Sequence, residues 1–222
     1  MIVILRKTTM IYELAHTIKD KLHFLWSCIE YGNSIAFSIR YGKKLVDIDN
    51  VVNEGILYPY SMRRIVACDL PQLADFFRRQ PVDSFRFFNP HKFDMKSLCF
   101  LLHNHSFLAF VLLKKSGGAD DIVGYAFMRS FANGSAYRGY IVDVGQRGKG
   151  LAKTMGYGLN RVGDTLGLKM YKSISPCNTA SMKVTQAVCD IEMLRTLENG
   201  DYLIRCMSKK PGIVDENVIG GG

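Results

Sequence analysis

One segment constrains the fold of this chain more than any other: residues 142–152, with the sequence VDVGQRGKGLA. Alternating apolar residues predict the end of a β-strand, Gly148 and Gly150 predict a tight turn, and Leu151 and Ala152 begin an amphipathic helical pattern. Glycine permits positive φ angles and a close backbone approach, and the first N–H groups of a helix have no intrahelical partner. Such a junction favours binding of a phosphate or a diphosphate.

Two common phosphate-binding motifs do not fit this junction. In the nucleoside-triphosphate loop, Lys and then Ser or Thr follow the last glycine, but here two apolar residues follow Gly150. In the dinucleotide motif Gly-x-Gly-x-x-Gly, Gly148 and Gly150 supply the first two glycines, but Lys153 occupies the third position. The pattern that remains is Arg147-x-x-Gly150-x-Ala152.

This pattern resembles the acyl-coenzyme A signature of the GNAT superfamily of N-acetyltransferases, Arg/Gln-x-x-Gly-x-Gly/Ala. A second resemblance follows a predicted strand over 169–174. There, Asn178 precedes by three residues the small residue Ser181, at the start of a predicted helix. Two separate segments of the chain therefore carry the likeness.

The order of the predicted elements agrees with that superfamily. The patterns predict a first strand over 62–67, a helix from an Asp69 N-cap through Arg79, strands over 121–128 and 136–144, a helix over 151–166, and a hairpin over 193–198 and 202–207. The resemblance implies an α/β (α+β) fold with a mixed, mostly antiparallel seven-stranded sheet flanked by helices. The predicted division is an N-terminal helical extension (1–58), an acyltransferase domain (59–210) and a flexible tail (211–222).

The resemblance also implies a site for acetyl-coenzyme A, or another short acyl-CoA, and no metal. Backbone groups of Val142 and Val144 would pair with the pantetheine arm like an added strand, and an N–H near Val144 would stabilise the oxyanion. Asn178 would contact the pantetheine amide with Ser181 nearby, although both residues could simply cap a helix. The diphosphate would be bound by the backbone N–H groups of Arg147, Gly148, Lys149, Gly150, Leu151 and Ala152.

The chain departs from the family pattern at positions that handle protons. Many members carry a tyrosine seven residues after the Asn, but Thr185 stands there, and Cys189-Asp190 replaces the usual Gly-Phe. No carboxylate lies on the strand over 136–142, and Asp143 is expected on the sheet face opposite its apolar neighbours. The tyrosine acid and the strand carboxylate are therefore both missing from their usual positions.

Tyr140 and His91 are the candidates for proton transfer, and a packed aromatic ring and a solvated loop histidine are the competing interpretations. Residues 84–93 contain four phenylalanines together with Arg, His and Lys. Such a loop suits a small-molecule amine acceptor such as an amino sugar or a sugar nucleotide, whereas packing in the core is the alternative.

The composition limits the partners. The formal net charge is +9, but the basic residues are scattered and no zinc or RNA-binding motif accompanies them, so nucleic acid is not favoured. Six cysteines without Cys-x-x-Cys spacing, and no secretory signal, predict a cytoplasmic protein. The N-terminal segment falls short of the ~20 apolar residues of a membrane span. It is expected to pack on the domain or to form a homodimer, with peripheral membrane contact as the alternative.

The predicted function is transfer of an acetyl or short acyl group from acyl-coenzyme A to a primary amine of a small molecule by direct attack. Three alternatives remain open from the residues alone. They are a protein or peptide N-acetyltransferase, a non-catalytic acyl-CoA-binding regulatory or scaffold protein, and a basic nucleic-acid binder.

Overall fold

The structure is a computed structural model that describes residues 23–118 and 120–209. The predictions made for residues 1–22 and for the tail over 211–222 lie outside the described residues. The strands are β1 (Tyr60–Arg64), β2 (Phe107–Lys114), β3 (Asp121–Ser130), β4 (Ser135–Val142), β5 (Lys169–Ile174), β6 (Cys189–Thr196) and β7 (Tyr202–Ser208). The α-helices are α1 (His23–Leu45), α2 (Ile48–Asn53), α3 (Leu70–Arg78), α4 (Met95–Leu102), α5 (Leu151–Leu166) and α6 (Thr179–Val188).

The seven strands form one sheet in the order β1-β2-β3-β4-β5-β7-β6, which confirms the predicted seven-stranded, mostly antiparallel architecture. β4 and β5 form the only parallel pair within the described residues. Their pairing runs from Ser135 opposite Lys169 to Tyr137 opposite Tyr171 and then stops. The later parts of the two strands diverge, so the middle of the sheet opens into a gap.

Strand β2 explains why the sheet is covered by helices on both faces. Its sequence FLAFVLL is continuously apolar, and all seven of these residues are buried. Because side chains alternate along a strand, Leu108 and Phe110 join one hydrophobic cluster while Phe107 and Val111 join another. The first cluster is shared with α1, α2 and α5, and the second with α3 and α4.

Helix α5 follows the amphipathic pattern of its sequence. Met155, Leu159 and Val162 are completely buried against the sheet, at the spacing expected of one helical face. Gly167, with φ of +70°, ends the helix, since its left-handed conformation costs glycine little. The predicted helix over 151–166 is confirmed.

Helix α1 packs against the same sheet face. Phe37 is completely buried, with Tyr41 one helical turn later, and the Asn33 side chain hydrogen-bonds backbone groups at both Ser130 and Ala132. Nearer the start of the helix, Ile29 is half exposed. Other apolar residues of α1 also face solvent, and the homodimer through this segment stays a prediction.

Some predicted boundaries were wrong. β4 ends at Val142, and a short 3₁₀ turn follows where the sequence predicted two more strand residues. Asp69 does not cap α3 with its side chain, because its carboxylate accepts two hydrogen bonds from the Arg63 guanidinium at 2.6 and 2.8 Å and another from the backbone N–H of Val66. The bidentate ion pair therefore takes the place of the predicted N-cap.

Candidate functional site

A groove of about 1100 Å³ lies between the diverging parts of β4 and β5. Its walls come from the ends of these two strands, the turn before α5, the start of α6 and the loop between α3 and α4. Five basic and two acidic side chains contribute to the lining, so the groove favours anionic groups. The basic residues are Arg86, Arg138, Arg147, Lys153 and Lys172, and the acidic residues are Asp83 and Asp201.

The glycine turn forms one end of this groove. Gly148 and Gly150 have φ angles of +81° and +76°, a conformation that side chains with a Cβ rarely adopt. Gly150 occupies the N-cap position of α5, where no side chain caps the helix and no acidic residue lies in the first turn. The Lys153 N–H donates to the Gly150 carbonyl at 2.8 Å, whereas the N–H groups of Leu151 and Ala152 are available to an anion from outside the helix.

The basic residues of the turn make different contacts. Arg147 crosses the groove, with its Nη2 donating to Ser84 Oγ at 2.8 Å and its Nε donating to the Val142 carbonyl at 3.4 Å. Lys149 donates from the exposed surface to Gln146 Oε1 at 2.8 Å and does not line the groove. Any contact between Lys149 and a ligand is thus expected through its backbone alone.

Val144 is placed differently from the prediction. Its backbone N–H donates to Gln80 Oε1 at 3.0 Å, so the proposed oxyanion donor already has a protein partner. Val142 lines the groove, whereas Val144 lies in the 3₁₀ turn after the strand and does not. The role of Val144 toward a ligand stays a prediction, and it requires Gln80 to release this N–H.

Asp143 follows the end of β4, begins the 3₁₀ turn and does not line the groove. Its carboxylate binds Arg79 Nε at 2.7 Å and accepts from the Gly145 backbone at 2.9 Å. Although partial burial opposes the change, the hydrogen bonds from Arg79, Gly145 and Gln80 lower the pKa of Asp143. Asp143 therefore remains a carboxylate that fixes the turn on α3, outside the groove lining.

Asn178 and Ser181 both line the groove at the start of α6. The Asn178 side chain accepts the Ser181 backbone N–H at 3.0 Å, which is a standard N-cap contact. The capping interpretation is thus realised in the structure. A contact from Asn178 to a pantetheine amide stays a prediction and would use its amide nitrogen, because the oxygen serves the helix.

The acceptor loop between α3 and α4 divides its phenylalanines between two surroundings. Phe87 and Phe88 line the groove, with the Arg86 guanidinium carbon 5.1 Å from the Phe87 ring centroid. Phe85 and Phe93 pack instead against the hydrophobic cluster under α3, their ring centroids 5.0 Å apart. Phe88 also packs against that cluster, so packing in the core applies to three of the four rings, and the acceptor role of the loop stays a prediction.

His91 lies in that aromatic cluster and does not line the groove. Its Nε2 is 2.8 Å from the Tyr125 hydroxyl and its Nδ1 is 2.8 Å from the Lys92 carbonyl oxygen. Burial lowers the pKa of His91, so the imidazole is neutral at pH 7. Its role in proton transfer stays a prediction that this placement does not favour.

A buried polar cluster lies at the floor of the groove, and the sequence analysis missed most of it. Lys172 is 7% exposed, its Nζ donates to Thr185 Oγ1 at 3.1 Å, and it sits 4.3 Å from the Tyr140 ring centroid. Arg138, also buried, donates to Asn160 Oδ1. The signal was present: Lys172 stands between Met170 and Ile174 at an inward position of an alternating strand.

Tyr140, the other predicted proton-transfer residue, belongs to this cluster. Its hydroxyl is buried, and within the described part of the chain it makes no hydrogen bond of acceptable geometry. Burial raises the pKa of Tyr140. The phenol is therefore protonated at pH 7 and cannot act as a base there.

Comparison with known proteins identifies structures that share this fold. No protein-family model and no curated protein matches the sequence. Many solved structures match in three dimensions, and three of them, each with a TM-score of 0.54, illustrate the likeness. They are the GNAT domain of S. lividans PAT (16% identity, 66% of this chain and 89% of that chain), ribosomal-protein-S5-alanine acetyltransferase from Vibrio fischeri (19%, 68% and 94%) and spermidine N-acetyltransferase from Vibrio cholerae in complex with CoA and spermine (16%, 67% and 94%).

This chain has the GNAT fold. The predicted likeness is thereby confirmed at the level of three-dimensional structure. Thr185 is completely buried, accepts from Lys172 and donates to the Ser181 carbonyl at 2.8 Å.

Two further features bear on the predicted partners. None of the helices in the described part of the chain has the length and apolar character needed to cross a membrane. Across residues 23–118 and 120–209, no group of three or more His, Cys, Asp or Glu side chains is arranged to hold a metal ion.

Proposed function

We propose that this protein is an acyl-coenzyme A-dependent N-acyltransferase. The observation that carries the proposal is the uncapped, left-handed glycine turn at the start of α5, which opens onto the gap between β4 and β5. A helix N-terminus with a free first turn fits a diphosphate, and the unpaired facing edges of two strands fit an extended amide-bearing chain. Coenzyme A combines these two features, because it carries a diphosphate and an amide-bearing pantetheine arm.

The residues of the chain would bind and orient the two reactants. The turn over 147–152 would bind the diphosphate, while main-chain groups beyond Tyr137 on β4 and beyond Tyr171 on β5 would pair with the pantetheine arm. A bound acyl-CoA supplies the activated carbonyl carbon as a thioester. By aligning an amine with that carbon and excluding water, the groove would convert a bimolecular encounter into a local reaction.

The residues on the side of the groove near the loop between α3 and α4 favour a small-molecule amine as the acceptor. Phe87, Phe88 and Phe127 provide flat apolar surface. Gly139 lies beside the Phe127 ring, where a Cβ would come within 2.6 Å of a ring carbon, so only glycine leaves room for the ring. Arg86 and Asp83 add charge at the same side. Aromatic rings beside a guanidinium suit a ring-shaped or phosphate-bearing amine such as an amino sugar.

A panel assay tests this function. The full chain is incubated with acetyl-CoA and amines of four classes: aminoglycosides, polyamines, nucleotide-linked amino sugars and peptides with free N-termini. Thiol release is corrected for hydrolysis, and the acetylated amine is identified by mass. We expect saturable transfer to a small-molecule amine, and transfer only to peptides would favour the protein acetyltransferase. Saturable acetyl-CoA binding without transfer to any amine would favour the scaffold interpretation.

A further inference from the structure

Lys172 is a buried amine without a carboxylate partner among the described residues. It is 7% exposed, and no carboxylate of the described residues lies within ion-pair distance of it. A buried ammonium normally requires a paired anion, and an unpaired lysine tends to lose its proton instead. Its only hydrogen bond within the described residues goes to the neutral hydroxyl of Thr185.

The groups around Lys172 strengthen this tendency. Arg138 and Tyr140 face it from β4, Cys189 from β6 and Cys206 from β7. Burial, and then the neighbouring Arg138 guanidinium, lower the pKa of Lys172 to about 7, while the Coulombic effects of Cys206 and Cys189 act to raise it. Both the amine and the ammonium are therefore populated near neutral pH.

The position of Lys172 places this residue in the lining of the groove. It is the first residue of β5 beyond the segment that pairs with β4, which ends at Tyr171. Its Nζ also contacts Thr185, the residue that replaces the tyrosine carried by many GNAT members. Neither Tyr140, with its raised pKa, nor His91, outside the groove, offers a comparable group.

We propose that Lys172 carries the proton from the acceptor nitrogen to the departing sulfur. This inference rests on the proposed N-acyltransferase function. The acceptor nitrogen forms a bond to the thioester carbonyl carbon and becomes positively charged, and the neutral Lys172 Nζ takes one proton from it. The carbon–sulfur bond then breaks, its electron pair leaves with sulfur, and the Lys172 ammonium gives the proton to the thiolate. Lys172 ends in its starting state, so one side chain serves as both base and acid.

Three variants test this role in the acceptor assay. Lys172→Met keeps the aliphatic shape but removes the amine, and Lys172→Arg keeps the charge but cannot give up its proton. Each is expected to lower kcat by about 10² to 10³-fold and to keep the acetyl-CoA Kd within about threefold. The matched control is Lys169→Met, at the exposed start of the same strand, which is expected to keep the wild-type rate.

The pH profile separates proton transfer from a structural role. The wild-type kcat/KM is expected to rise with pH through about 7, because the attacking step needs the neutral amine. This rise is expected to disappear in Lys172→Met, whereas a merely structural lysine would lower the rate without changing the shape of the profile. An unchanged profile and rate in Lys172→Met would overturn the proposal while leaving the acyltransferase function intact.

An NMR titration, which needs no turnover, distinguishes failure of the Lys172 role from failure of the acyltransferase function. In the full chain with ¹³C-labelled lysine, one side-chain resonance is expected to titrate near pH 7 and to be absent in Lys172→Met. If every lysine titrates near its ordinary value, the proposal is wrong even where acetyl transfer is observed. If wild-type protein transfers acetyl to no amine, the proposed function fails, and the proton-transfer role fails with it. Acetylation of Lys172 itself, detected by peptide mass, would also overturn the proposal.

Discussion

Two regions of the groove, the glycine turn and the buried cluster around Lys172, are built in opposite ways. The glycine turn consists of consecutive residues over 147–152 and presents mainly backbone groups, with an uncapped helix start and two left-handed glycines. The buried cluster around Lys172 consists of side chains from β4, β5, α5 and α6, with cysteines from β6 and β7 beside them. Binding of the carrier thus depends on local backbone geometry, whereas proton transfer depends on packing between distant segments.

The largest expected effect is on acetyl-CoA affinity, from a substitution in the glycine turn. Gly150→Glu places a carboxylate at the uncapped N-terminus of α5, where it would compete with and repel a diphosphate. We expect acetyl-CoA affinity to fall at least ~100-fold, measured by calorimetry. The Cβ meets no atom within 4 Å, so the fold is expected to survive.

Gly150→Ala is the matched control, because it imposes the same strain at φ of +76° without the charge. We expect it to bind acetyl-CoA at least ~10-fold more tightly than Gly150→Glu. Equal losses in the two variants would show that backbone strain, and not the carboxylate, determines the affinity.

The second prediction concerns the effect of Lys172 on the stability of the folded protein. The pKa of Lys172 is about 7 in the folded chain, well below the ordinary value of 10.5, so the unfolded state binds more protons between these values. Lys172 therefore costs most stability below about pH 7, and its cost shrinks as pH rises toward 10.5. Lys172→Met is expected to raise Tm at about pH 6 by ~4 °C or more, with a smaller gain at about pH 9. A Tm gain that does not vary with pH would contradict the lowered pKa.

Asn178 allows capping and ligand binding to be separated. Asn178→Ala removes the cap on Ser181 and is expected to cost ~1 kcal/mol of unfolding free energy in a denaturant titration. Asn178→Ser keeps a capping oxygen but removes the amide nitrogen. If Asn178 contacts pantetheine, the serine variant keeps wild-type stability and loses about threefold to tenfold in acetyl-CoA affinity. Wild-type affinity in the serine variant would leave Asn178 with its capping role alone.

The smallest expected effect is at Thr185. Thr185→Val removes the hydroxyl that accepts from Lys172, which lowers the pKa of Lys172 further because the ammonium loses its only hydrogen-bond partner among the described residues. The rising limb of the pH–rate profile is expected to move to lower pH by about half a unit to one unit. Thr185→Ser keeps the hydroxyl and is expected to keep the profile. A shift to higher pH in the valine variant would contradict the assigned contact.

The sequence predicted correctly those elements that are determined by residues close together in the chain. The strand, the glycine turn and the amphipathic helix over 142–166 depend on neighbouring residues, and so does the cap from Asn178 to Ser181. At the end of β4, Asp143 caps a 3₁₀ turn through the Gly145 N–H, and the Val144 backbone N–H pairs with Gln80, which lies 64 residues away. No local pattern contains that contact.

The proton-transfer candidates show the same limit. His91 and Tyr140 were selected by residue type, although the value of each depends on burial and on neighbours from other elements. Lys172 passed unnoticed because a lysine in a strand is usually solvated. Only the tertiary structure shows that it lies beside Arg138 with no carboxylate of the described residues nearby.

A crystal structure of the full chain with bound acetyl-CoA tests the central claim most directly. We predict that the diphosphate accepts hydrogen bonds from backbone N–H groups of residues 147–152, and that the pantetheine arm runs between β4 and β5 with the thioester beside Lys172. A carrier bound elsewhere on the chain, with the glycine turn making no contact to its diphosphate, would contradict the account.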